Sequence, residues 1–70
     1  MKISARNCLS GTIVSIVRGP VTTEVTLEIA PGVQIVSTIT SNSAESLKLK
    51  EGSNAYGVIK ASSVMIGTDD

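Results

Sequence analysis

The 70-residue chain has no histidine, phenylalanine or tryptophan, and it has one cysteine and one tyrosine. Each shortage closes a route to function. Without histidine there is no side chain whose ordinary pKa suits general-base work near neutral pH. The commonest zinc ligand is missing too, and no cysteine cluster replaces it. Cys8 has no second cysteine with which to form an internal disulfide, and an unpaired thiol fits a reducing compartment, so the expected location is the cytoplasm. Proteins that hold single-stranded nucleic acid stack bases on aromatic side chains in a basic groove. Tyr56 alone, in a chain whose six Lys and Arg balance six Asp and Glu, supplies neither part. The same balance leaves no overall field toward nucleic acid or a membrane surface. No apolar run approaches the roughly 20 residues of a spanning helix, and no apolar leader follows Lys2.

Catalysis is not expected. Glu24, Glu28, Glu45, Glu51, Asp69 and Asp70 fall on polar faces, turns or the tail. Cys8 stands two residues from Arg6, but with no histidine to activate it, it reads as an inert small residue. No cofactor is implied.

What the chain does have is β-branched and aliphatic residues in alternation. Over 21–29 the odd positions are Val21, Thr23, Val25, Leu27 and Ile29, with Thr22, Glu24, Thr26 and Glu28 between them. Period 2 predicts a half-buried strand. The run 12–17 is apolar on both faces and predicts a more buried strand. Gly19-Pro20 and Pro31-Gly32 supply turn chemistry between strands. Residues 33–40 alternate again, with Val33, Ile35 and Ile39 on one side. Asn42 and Glu45 then have the spacing of a helix N-cap and its partner, with Ala44 and Leu47 to bury. Strands are expected over 55–60 and 63–66, and a frayed tail over 67–70. The layout is all-β with one short helix, a five-stranded antiparallel OB-like barrel, as a single domain over 1–70. Such a chain buries only about 60% of the surface its unfolded form exposes. With no disulfide or metal as a staple, association with other copies is the remaining one.

Two polar segments carry cations. Ser4-Ala5-Arg6-Asn7 offers a hydroxyl, a guanidinium and backbone N–H groups before the first strand. Lys60-Ala61-Ser62-Ser63 offers an ammonium and two hydroxyls near the end, and Thr40 and Ser43 add hydroxyls at the helix start. No carboxylate lies in either cluster. Sets of donors of this kind suit a tetrahedral dianion that only accepts hydrogen bonds. The bland alternative is a pair of solvated polar segments.

The stretches "ISARN", "VTTEVTLEIAPGVQIVSTITSNSAESLKLKEG" and "VIKASSVMIG" resemble the molbindins. These are small cytoplasmic Mop proteins that bind molybdate and tungstate; the module also occurs in molybdate-responsive regulators and as the TOBE domain of transporter ATPases. The resemblance spans the chain from Met1 to about Gly67. It implies an OB-like barrel with strands exchanged between subunits, assembled as a hexamer from three dimers, with oxyanion sites at subunit interfaces. By motif match, Ser4, Ala5 and Arg6 of one subunit face Thr40, Ser43, Lys60 and Ser62, some of them from another. Asn7, Ala61 and Ser63 are secondary candidates, and Thr22 is a candidate for a second class of site near a threefold axis. Cys8 and Ser10 depart from the glutamine and lysine common in the family, which removes a cation at Ser10. The implied function is non-catalytic molybdate or tungstate binding for storage or homeostasis. The alternative is an oxyanion-responsive module acting through a partner protein.

If this reading holds, molybdate and tungstate bind well, sulfate weakly for want of size, and monohydrogen phosphate weakly because a donor-rich site strands its proton. Leaving that donor unpaired costs on the order of 1–3 kcal/mol. Competition calorimetry at neutral pH checks this, and phosphate binding as tightly as molybdate would mean that acceptors line the site.

Overall fold

Gly19-Pro20, Pro31-Gly32 and one short helix divide the alternating pattern into four antiparallel strands. In the computed structural model, which describes residues 2–69, these are β1 (Asn7–Arg18), β2 (Thr22–Ala30), β3 (Val33–Thr40) and β4 (Asn54–Ile59). Met1 and Asp70, the two ends of the expected domain, lie outside the described residues. Helix α1 (Ser41–Ser46) follows β3, and the chain then crosses so that the sheet order is β3-β2-β1-β4.

Strand β1 is the longest, with 12 residues, and its two neighbours share it end to end. β2 pairs with Thr12 through Arg18, whereas β4 pairs with Asn7 through Thr12. The register with β2 shifts between Ile13 and Ser15, a bulge that bends the strand. The loop before β4 takes up backbone groups at the bend: Gly52 N–H donates to the Ile13 carbonyl at 2.8 Å, and Ile13 N–H donates to the Ser53 carbonyl at 2.9 Å. Gly11 lies next to this bend, where a Cβ would meet the backbone carbonyl of Glu28.

Ile13, Val25 and Leu27 form the buried core, with Ile16, Ile29, Ile35, Ile39, Leu49 and Ala55 packed around them. The odd positions of β2 therefore face inward, as the alternation predicts. The run 12–17 is less buried than expected. Ile13 is fully buried, but Val17 is 60% exposed, because nothing among the described residues covers it on the outer face of the sheet. Val21 precedes β2 and Val33 opens β3, and both are exposed.

The helix begins one cap earlier than Asn42. Thr40, still extended at the end of β3, accepts the Ser43 N–H on Oγ1 at 3.1 Å. Ser41 then pins the helix to the β1–β2 turn. Its hydroxyl donates to the Gly19 carbonyl at 2.6 Å, so the 2.8 Å contact with buried Thr23 must have Thr23 as donor. Ala44 is buried, but Leu47 is exposed as the C-cap. Beyond it, Leu49 N–H reaches the Ala44 carbonyl and Lys48 N–H the Glu45 carbonyl, a Schellman arrangement. Lys48 holds its left-handed position at φ 54°, where glycine is the usual occupant.

The fifth strand expected over 63–66 is not formed. Ala61–Ser63 is a single 3₁₀ turn, and 64–69 carries no helix or strand. Folding this segment back on β4 would need a tight hairpin, and Ala61-Ser62 offers no residue suited to positive φ. Met65 and Ile66 are 92% and 88% exposed.

Two substitutions test this account. Replacing Gly11 by alanine usually stabilises a chain that tolerates it, but here the Glu28 backbone must move, so a loss of about 1–3 kcal/mol is expected. Lys48→Gly should instead stabilise by about 1 kcal/mol through relief of the left-handed penalty. Denaturant unfolding at one protein concentration measures both, and a stabilising Gly11→Ala would refute the close approach.

Candidate functional site

The last register pair of β1 and β4 is Asn7 with Ile59. Arg6 immediately precedes β1 and Lys60 immediately follows β4, so the two polar segments leave the same end of this ladder. The Asn7 side chain braces that end, its Nδ2 donating to the Ile59 carbonyl at 3.4 Å. Beyond Lys60 the chain turns, with Ser63 N–H donating to the Lys60 carbonyl at 2.8 Å.

The result is an open depression of about 510 Å³ lined by Ser4, Ala5, Arg6, Val58, Lys60, Ala61 and Ser62. Arg6 and Lys60 are both exposed. Like charges lining one depression repel unless something of opposite sign sits between them. Among the described residues no carboxylate lines this one. Two cations of different geometry and two hydroxyls can donate to the oxygens of a tetrahedral anion. Arg6 offers a planar fork and Lys60 a compact charge. Among the described residues there is no group of three or more His, Cys, Asp or Glu that could ligate a metal ion directly.

Of the residues singled out from the sequence, Ser4, Ala5, Arg6, Lys60, Ala61 and Ser62 come together. Asn7 lies behind them, and Ser63 is in the turn but does not line the depression. Thr22, Thr40 and Ser43 gather elsewhere. Thr22 pairs with Thr40 across β2 and β3, and Thr40 Oγ1 donates to Ser43 Oγ at 2.7 Å. The next pair, Thr23 with Ile39, is aligned with Arg18 at the far end of β1 from Arg6. A strand of that length separates the two groups by roughly 30 Å. Within one chain they do not meet.

Val58 was not anticipated in the site. A signal was available, because Val58 lies in the last turn-free stretch of β4, two residues before Lys60. A second depression, of about 340 Å³, lies beside α1 and includes Arg18, Lys48 and the carboxylate-bearing Glu45. Arg18 there is partly occupied, its Nη2 donating to the Leu49 carbonyl at 3.1 Å.

The TOBE domain family matches residues 3–66. This chain belongs to the TOBE-domain family. The chain is 50% identical over 66 residues to molybdenum-pterin-binding protein 1 of Clostridium pasteurianum, with 94% of this chain and 97% of that protein covered. It is 52% identical over 69 residues to the molybdenum transport protein ModE of Herbaspirillum seropedicae. That match covers 99% of this chain but 26% of ModE, so the chain spans about a quarter of the length of that relative. A solved structure of a molybdate-binding protein from Sporomusa ovata superimposes with a TM-score of 0.89 at 32% identity, over 97% of this chain and 100% of the other. The curled sheet with one short helix is thus the OB-like arrangement expected from the pattern. The resemblance read from the "ISARN" and "VIKASSVMIG" stretches is borne out. No helix among the described residues is long and apolar enough to cross a membrane.

Proposed function

We propose that this chain is a single non-catalytic domain that binds molybdate or tungstate in the cytoplasm, for storage or homeostasis. The observation that carries the reading is that Arg6 and Lys60 line one depression beyond the end of the β1–β4 ladder, with Ser4 and Ser62 and with no carboxylate among its described lining residues. Relatives named for molybdenum or molybdate support the choice of anion. Both candidates are tetrahedral dianions of nearly equal size, and an accept-only ligand matches the donors on offer.

The working form is an oligomer, a hexamer of three dimers with strands exchanged between subunits. Three features support it. The core is thin, residues 64–66 present Val64, Met65 and Ile66 to solvent, and β3 and β4 each have one edge that no strand among the described residues pairs. Unpaired edges and exposed apolar segments invite pairing with another copy. Assembly would also let Thr40 and Ser43 of one subunit approach Arg6 or Lys60 of another. Near the threefold axis, Thr22 is the candidate for a second class of site.

A second reading, an oxyanion-responsive module that acts through a partner protein, draws support from the ModE match. There a stretch like this chain makes up only 26% of a larger protein. Stoichiometry separates the two: storage requires several anions per oligomer and little change of shape, whereas a sensor requires a partner whose binding depends on the anion.

Sedimentation at micromolar protein should give one large species, and a stable folded monomer of 7.2 kDa would sink the assembly and its shared sites. For the site itself, Arg6→Lys keeps the charge but loses the fork, so molybdate affinity should fall by about tenfold to a hundredfold, the worth of a charge-assisted hydrogen bond. Lys60→Ala should cost at least as much. Neither change should dissolve the oligomer, because losing a cation or its close approach relieves repulsion in the unliganded protein. Titration calorimetry on assembled variants decides, and unchanged affinity in both refutes the site.

A further inference from the structure

Val58 is the one lining residue of the Arg6–Lys60 depression that an anion's need for donors does not explain. Together with Ala5 and Ala61 it makes three of the seven lining residues apolar, and it is the only one of those three with bulk. It is 48% exposed, so its side chain is open to whatever occupies the depression. The shared lining fixes its relation to the cations: Val58 bounds the same depression as Arg6 and Lys60. Its register partner is Cys8, and the Cys8–Val58 pair lies one pair inward from the end of the ladder. The side chains of that pair offer no strong hydrogen-bond donor, since a thiol donates only weakly.

We infer that Val58 is a specificity-determining residue, an apolar wall that leaves one side of a bound tetrahedral dianion without hydrogen bonds. The inference rests on the reading of this depression as an oxyanion site. Arg6 and Lys60 attract every dianion, and attraction by itself favours the smaller one. The wall works in the opposite direction. The free energy of hydrating an ion of given charge grows as its radius shrinks, so turning one side of it away from water costs sulfate more than molybdate. Val58 thereby converts a difference of ionic radius into a difference of affinity, without a rigid size filter.

Val58→Thr tests this with little change of shape, because threonine is β-branched, nearly isosteric and at home in a strand. The affinities of molybdate and sulfate are measured by competition calorimetry at constant ionic strength, with assembly checked by sedimentation. The new hydroxyl supplies a donor on the dry side. Sulfate affinity should rise by about threefold to tenfold, the worth of one ordinary hydrogen bond. Molybdate affinity should rise less, so that the molybdate-to-sulfate ratio falls by at least about twofold. Val58→Ile keeps the wall apolar and extends it, and the ratio should stay level or rise; it also serves if the threonine variant does not assemble. A ratio unchanged in Val58→Thr overturns the inference, and so does a ratio that falls in Val58→Ile. Wild-type protein that binds neither anion overturns the inference together with the oxyanion reading beneath it, whereas tight molybdate binding with an unresponsive ratio removes the role of Val58 alone.

Discussion

Strand β1 has more backbone than either neighbour can pair, and the shape of the sheet depends on how it is divided. β2 takes its second half and β4 its first, with Thr12 common to both. The bulge at Ile13–Ser15 lies just beyond the point of division. A strand that changes partners there must bend, and the bend needs two concessions from the sequence. Gly11 lets the backbone of Glu28 come close, and the 50–53 loop satisfies the N–H and carbonyl of Ile13. Ile13, fully buried, is consequently both the centre of the core and a backbone anchor for the entry to β4.

The candidate site is the far consequence of that division. Because β4 pairs with the beginning of β1, the residues preceding β1 and those following β4 emerge at one ladder end. Arg6 and Lys60 line one depression there, with no carboxylate among its described lining residues. A folded chain that holds two cations together has given up some electrostatic stability, and an anion restores it. The hydroxyl groups at the other end of β1 have a different status. Thr40 and Ser43 are already engaged with each other as the helix cap, so part of their hydrogen-bonding capacity serves the fold.

The hub at the helix start shows how few polar groups this fold buries and how fully it uses them. Thr23, 1% exposed, donates to Ser41, and Ser41 donates to the Gly19 carbonyl. A directed chain of this kind ties β2, α1 and the β1–β2 turn together where aliphatic packing is sparse. Among the described residues no buried side-chain polar atom lacks a partner. Outer-face residues such as Val17 and Val36, and the apolar segment after the 3₁₀ turn, have no such cover among the described residues.

Local pattern alone determined much of this protein. The alternation of β2, the breaks at Gly19-Pro20 and Pro31-Gly32, the position of a short helix after Thr40, and the two donor-rich segments all depend on spacings of a few residues. Tertiary structure decided the rest. Period 2 says which residues share a face but not whether that face is covered, which is why the run 12–17 is less buried than its composition implies. An expected cap at Asn42 yielded to Thr40 because the last residue of β3 was already extended and three residues from Ser43. The segment 63–66 has strand composition but no hairpin turn to bring it back to β4, so composition could not make it a strand. Above all, sequence could mark Arg6 and Lys60 as cations of interest, 54 positions apart. Only the division of β1 between its two partners could bring them to one depression, because strand pairing is a property of the whole sheet and not of either segment.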